Sequence, residues 1–248
     1  MRTIAVIPAR YSSKRLPGKP LADIAGKTMV QRVYEKVVAA RRVDQVLVAT
    51  DDERIRDVVT GFGGRALMTS RDHRSGSDRV AEAVRETSYD LVVNVQGDEP
   101  LLDPRAIDET IELAAEHEGV IATLRREISS RDRLLDRDVV KVVVDRRGFA
   151  LYFSRSPIPV PPPVSEALPP NVYYEHVGLY VYPKERLLDL AALPPTPLEE
   201  LERLEQLRAL ENGMPIRVGE TEYESMAVDT EADLEKVQKR LESTTVKM

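Results

Sequence analysis

The sequence predicts an α/β fold: a mostly parallel sheet flanked by helices, with a smaller β-rich lobe inserted. Three observations carry this. Short apolar runs alternate with longer amphipathic ones through the first half of the chain. Those short runs are continuously apolar, the pattern of strands covered on both faces. From about Val120 the pattern changes to hairpin-like and extended segments.

Ile4-Ala5-Val6-Ile7 predicts a buried first strand, and the three- and four-residue apolar spacing of Val30 to Val43 predicts a helix. A strand at Gln45 to Ala49, a helix over Glu53 to Val59 and a short strand at Ala66-Leu67-Met68 follow. A helix over Val80 to Glu86 leads into the β-rich run Leu91 to Val95. Asp103-Pro104 then opens a helix with a capping acid and a proline in its first turn. Val139 to Val144 and Phe149 to Phe153 flank Asp145-Arg146-Arg147-Gly148 as a hairpin. Pro157 to Asn171 contains seven prolines and predicts an extended, exposed excursion. A strand over Val172 to Tyr182, one continuous helix over Leu198 to Glu211, and a strand at Ile216 to Val218 come next. Thr230 with Asp233 forms a capping box for the last helix. No repeat or long linker is visible, so residues 1–248 are expected to form one domain, with the inserted lobe at approximately 125–210.

Composition narrows the function. The 248 residues are 42% hydrophobic, enough to bury a core. The absence of cysteine removes disulfide scaffolds, thiolate metal sites and cysteine nucleophiles. A net charge of −6 argues against nucleic acid or anionic lipid as a partner. The opening Met1-Arg2-Thr3-Ile4 lacks a secretory pattern and no apolar run approaches membrane-spanning length. A cytoplasmic protein without membrane insertion is therefore expected.

In open parallel sheets, ligands bind at the carboxyl ends of the strands. The loop after the first strand, Pro8 to Pro20, places Arg10, Lys14, Arg15 and Lys19 within ten residues. Such clustered cations suit a polyphosphate, or form a solvated basic loop. Gly26-Lys27-Thr28 is not a P-loop, because Leu21 stands where the motif needs glycine. Thr50 and Glu53 are spaced as a capping box, which makes Asp51-Asp52 a structural feature before a metal motif. Gln96-Gly97-Asp98-Glu99-Pro100 puts a carboxylate directly after a central strand, where Asp98 either caps a turn or binds a hard cation. Asp229 is a turn acid or a second carboxylate for the same ion. The three histidines, His73, His117 and His176, lack metal-ligand spacing.

Ile7 to Pro20 closely resembles the opening signature of the 3-deoxy-manno-octulosonate cytidylyltransferases, the CMP-Kdo synthetases. The resemblance continues through Val48-Ala49-Thr50-Asp51, His73 to Arg79, Asn94 to Pro100, Lys141-Val142-Val143 and Ala150 to Arg155 with Ile158-Pro159. His176 to Tyr180, Leu204 to Arg208 and Val228-Asp229-Thr230 complete it. The proline-rich segment Val160 to Asn171 departs from the family pattern. The resemblance implies a Rossmann-like nucleotide-binding domain, a smaller dimerisation lobe, a homodimer, and Mg2+ as cofactor. It implies attack of the anomeric hydroxyl of Kdo on the α-phosphorus of CTP, with release of pyrophosphate, in lipopolysaccharide biosynthesis. By the same resemblance Lys19, Asp98 and Asp229 are catalytic, with Asp98 and Asp229 the metal ligands. Ala9, Arg10, Arg15, Lys19, Ser75, Gly76 and Gln96 would bind the nucleotide, and Arg155, His176, Tyr180, Glu205 and Gln206 the sugar acid. Three alternatives remain at this level. They are a cytidylyltransferase for another ulosonic acid (sialic-type or amino-Kdo), a glycosyltransferase using Asp51-x-Glu53 as its metal motif, and a catalytically silent nucleotide sensor.

Overall fold

A computed structural model describes residues 1–12, 16–224 and 226–245. The chain divides into two compact units, Met1–Asp108 with Glu224–Met248, and Glu109–Tyr223. The stretch 125–210, expected as an insertion, falls inside the second unit.

The first unit opens with β1 (Thr3–Ala9), followed by the short hairpin β2 (Asp23–Ile24) and β3 (Lys27–Thr28). Then come α1 (Met29–Val38), β4 (Gln45–Thr50), α2 (Glu53–Gly61), β5 (Ala66–Met68), α3 (Gly76–Val84) and β6 (Leu91–Asn94). α4 (Pro104–Ala115) carries the boundary between units. The strands lie in the order β6-β1-β4-β5 and every pairing is parallel. Ile4 to Ile7, Val92 and Val93 are buried, as strands covered on both faces require.

Local chemistry sets the helix ends. α1 begins at Thr28, whose hydroxyl accepts from the Gln31 amide, and it buries Met29, Val30, Val33 and Val37. It stops at Val38, short of the expected Val43, and the amides of Arg41 and Arg42 donate to the Asp108 carboxylate. α3 starts four residues before the expected Val80, because Ser75 and Asp78 form a reciprocal capping box. Asp52, rather than the expected Thr50, caps α2 by accepting from the Arg54 amide.

The second unit contains β7 (Ile121–Glu127), α5 (Arg131–Leu135), β8 (Lys141–Val144), β9 (Ala150–Ser154) and β10 (Tyr174–Pro183). α6 (Lys184–Ala192), α7 (Pro197–Glu202), α8 (Gln206–Glu211) and β11 (Ile216–Glu220) follow. β7 lies between parallel β11 and antiparallel β10, and the β8–β9 hairpin attaches to β10. Gly148, at a φ of 79°, makes the expected hairpin turn. The proline-rich stretch has no helix or strand. The Arg131 guanidinium holds it by donating to the carbonyls of Pro162, Pro163 and Glu166.

The helix expected over Leu198 to Glu211 is broken. Arg203 adopts a left-handed conformation, φ 56° and ψ 49°, and ends α7. Within this pair of short helices Arg208 donates to both Glu199 oxygens, at 2.7 and 2.5 Å. That buried bidentate pair ties α8 to α7 across the break. The chain returns to the first unit as α9 (Glu231–Thr245), opened by the expected Thr230–Asp233 box. Val237 of α9 packs with Leu16, Ile24, Met29 and Val228.

Candidate active site

In the first unit the chain leaves β1 toward β4 on one side and later returns to place β6 on the other. That reversal is a topological switch point, where the loops after neighbouring strands part and leave a crevice. The two loops concerned are those after β1 and β6. They approach closely: a Cβ at Gly97 would lie 2.8 Å from the Pro8 carbonyl oxygen, so only glycine fits. Gly18, at a φ of 71°, turns the first loop into a 3-10 turn over Lys19–Leu21.

Lys19 Nζ donates to Asp98 Oδ2 at 2.6 Å and to Asp229 Oδ1 at 2.9 Å. Three remote stretches of sequence therefore converge on one ammonium. The Val228 amide donates to the Asp98 carbonyl at 2.9 Å, which ties the two acid-bearing loops together directly. A cation between two carboxylates offsets their mutual repulsion.

This arrangement fits a hard divalent cation. The two acids already face a shared positive charge, and they offer only oxygen. Among the described residues no group of three or more metal-binding side chains occurs. Magnesium characteristically takes one or two carboxylates and completes its shell with water and substrate phosphate.

The described residues among those expected to bind the nucleotide lie in the same unit. Ala9 ends β1 and is buried, and Gln96 follows β6. Arg10 Nη2 donates to the Ser75 carbonyl at 2.8 Å, joining the first loop to the start of α3. The Ser75 hydroxyl caps α3, so it is already engaged, and Gly76 begins the helix. Arg15 lies outside the described residues, as does Lys14.

Arg79, one turn into α3, is fully buried. It donates to Asp51 Oδ2 at 2.8 Å and to the Thr69 hydroxyl. Asp51 therefore neutralises a buried guanidinium, and Asp52 is the α2 cap. This removes Asp51-x-Glu53 as a metal motif. Sequence reasoning missed the pair, although Arg79 closes the His73 to Arg79 block and follows Asp51 by 28 positions.

The residues expected to bind the sugar acid lie in the second unit. The rings of His176 and Tyr180 stand 5.2 Å apart, with Phe153 edge-on to His176 at 5.1 Å and Tyr182 stacked on Tyr180 at 5.6 Å. They meet across an irregularity in β10: His176 faces Arg125 of β7, whereas Tyr180 faces Thr123. Two additional residues on one strand leave the alternation of faces unchanged, so the simple four-apart argument still gives the right result. Thr123 Oγ1 lies 3.1 Å from the Val177 carbonyl, 2.8 Å from that of Leu179 and 3.0 Å from His176 Nε2. A hydroxyl has one proton; when it goes to a carbonyl, Nε2 donates to Thr123 and Nδ1 is left as the acceptor. Burial pulls the His176 pKa down to about 3 and pushes the Tyr180 hydroxyl upward. The Tyr180 hydroxyl is buried without a hydrogen-bond partner among the described residues. An orphaned buried hydroxyl is costly unless a ligand uses it.

The helix break at Arg203 changes the setting of the last two candidates. Glu205 and Gln206 do not interrupt a continuous helix. Glu205 is the residue before α8 and Gln206 its first residue, where Gln206 is buried. Arg155 directly follows β9.

Residues 4–217 match the cytidylyltransferase family model. A 3-deoxy-manno-octulosonate cytidylyltransferase from Syntrophotalea carbinolica is 53% identical, over 97% of this chain and 99% of the relative. One from Geobacter sulfurreducens is also 53% identical, over 97% of this chain and all of the relative. The chain belongs to the 3-deoxy-manno-octulosonate cytidylyltransferase family. A solved CMP:2-keto-3-deoxy-manno-octonic acid synthetase, in complex with CTP, superimposes with a TM-score of 0.91. It is 43% identical over 98% of this chain and 100% of its own. The mixed α/β architecture with its parallel sheet is thus that of the family. Among the described residues no helix is long and apolar enough to cross a membrane.

Proposed function

We propose that this cytidylyltransferase transfers CMP from CTP to the anomeric hydroxyl of 3-deoxy-D-manno-octulosonate (Kdo), giving CMP-Kdo and pyrophosphate for lipopolysaccharide biosynthesis. The observation that carries this reading is the convergence of Lys19, Asp98 and Asp229 in a chain alike over nearly its whole length to relatives named for that reaction. Sialic-type and amino-substituted acceptors are not favoured by those relatives.

Nucleotidyl transfer rests on holding the triphosphate in line and neutralising the charge that develops on its oxygens. Arg10 and Lys19 supply fixed positive charge from the loop after β1, and Arg15 adds to it. Ala9, Ser75, Gly76 and Gln96 receive the cytidine. Asp98 and Asp229 would hold Mg2+. Bound there, the ion would supply charge neutralisation to the triphosphate and make the attacking hydroxyl more acidic. Arg155 takes the Kdo carboxylate, while His176 Nδ1, the Tyr180 hydroxyl, Glu205 and Gln206 take its hydroxyls. The neutral His176 acts as a fixed acceptor, since a ring with so low a pKa does not carry a proton near neutrality. We further propose a cytoplasmic homodimer.

The test is a pyrophosphate-release assay in which each nucleoside triphosphate is crossed against several sugar acids. Turnover only with CTP and Kdo, and only with a divalent cation, is expected. Turnover with a different sugar acid and not with Kdo would refute the assignment.

A further inference from the structure

Arg155 is held from several directions. Its amide donates to Glu202 Oε2 at 2.9 Å, and its Nε donates to the Glu202 carbonyl at 2.9 Å. Nη1 donates to the Arg137 carbonyl at 3.1 Å, and the carbonyl of Arg155 accepts from Lys141 Nζ at 2.6 Å. The Glu202 carboxylate is itself oriented, because Ser154 donates to Oε1 at 2.6 Å.

Both anchors come from costly local structure. Lys141 is fully buried, and its ammonium faces three carbonyls, those of Asp136, Val139 and Arg155, at 2.8, 2.5 and 2.6 Å. An ammonium has three protons, so this set uses them all, yet carbonyl dipoles compensate a buried charge less well than a carboxylate. Burial accordingly lowers the Lys141 pKa. An apolar side chain of the same length would fill the space without that cost. Glu202 is the last residue of α7, and its carbonyl reaches Arg155 at the break made by left-handed Arg203. A non-glycine residue in that conformation is strained by its Cβ. In a continuous helix this carbonyl would accept from the amide four residues on.

We propose that Glu202 and Lys141 are positioning residues for Arg155, locking its backbone and guanidinium in one orientation before the sugar acid arrives. Nη2 has no partner among the described residues and is the part of the fork left to meet a carboxylate. The proposal rests on the assignment of Arg155 to the sugar carboxylate and explains how that contact is preorganised.

Steady-state kinetics on the full chain test it. Glu202→Gln keeps the side-chain volume and removes the charge. It is expected to raise the KM for Kdo about tenfold, with the KM for CTP unchanged within about twofold. In an Arg155→Ala background the same change should have no further effect on kcat/KM for Kdo, because its influence passes through Arg155. Lys141→Met is expected to behave likewise. If Glu202→Gln folds poorly, Ser154→Ala removes only the orienting hydroxyl and should raise the same KM a few-fold. An unchanged Kdo KM in these variants, or an equal loss with and without Arg155, would overturn the positioning role. Normal Kdo kinetics in Arg155→Ala alone would instead overturn the assignment of Arg155 on which it rests.

Discussion

Lys19 and Asp98 stand 79 positions apart in the chain and meet at 2.6 Å, with Asp229 sharing the same ammonium at 2.9 Å. Lys19 is thus a partner of both proposed metal ligands as well as a member of the cation-rich loop after β1. It links the loop after β1, the loop after β6 and the turn before α9 through one charged group.

Replacing either acid should stop turnover without unfolding the protein. Asp98→Asn and Asp229→Asn are expected to lower kcat by about 10²–10³-fold, the scale of removing one preorganised charge-stabilising group. Circular dichroism should match the parent. Chelation of divalent cations should abolish activity and added magnesium restore it. Near-normal turnover by either variant at saturating magnesium would refute the ligand assignment.

Asp51 should behave differently from Asp98. Asp51→Asn leaves the buried Arg79 guanidinium without its counter-charge. A loss of about 3 kcal/mol in unfolding free energy is expected, with the magnesium dependence of turnover unchanged. Urea denaturation and a magnesium titration distinguish this from a metal-ligand role.

Gly97→Ala tests the close approach of the loops after β1 and β6. The new methyl would press on the Pro8 carbonyl, a backbone atom that moves only with β1. Destabilisation of about 2 kcal/mol and reduced turnover are expected, and a variant as stable as the parent would contradict the geometry.

His176 predicts a pH effect with a definite sign. Its pKa falls from 6.5 to about 3 on folding, so the unfolded chain binds a proton where the folded one does not. This contribution to stability is complete above pH 6.5 and drains away as pH falls toward 3. Denaturation midpoints of His176→Gln should therefore fall less on acidification than those of the parent. The pH–rate profiles of the two should have the same shape between pH 5 and 8.

Gln206→Ala should raise the KM for Kdo about tenfold, with CTP affinity by calorimetry nearly unchanged. A collapse of CTP affinity with steady Kdo kinetics would place Gln206 on the nucleotide side.

Local signals in the sequence determined much of this. Continuous apolar runs made the strands of the parallel sheet, the Thr230–Asp233 box opened α9, and the cation-rich loop after β1 marked one side of the crevice. Each depends on residues within a turn or a strand of one another. What only the tertiary structure decided were the long-range pairings. Asp51 could have been a metal ligand or simply an acid at a helix start; buried Arg79 against it decides for a structural role. The leucine spacing over Leu198 to Glu211 fits one straight helix, yet the Glu199–Arg208 pair and left-handed Arg203 divide it, placing Gln206 at a helix start and the Glu202 carbonyl against Arg155. Periodicity reports which face of a segment is apolar. It carries no information about which remote charge that segment will meet once water is excluded, and in a low-dielectric interior that partner outweighs local propensity.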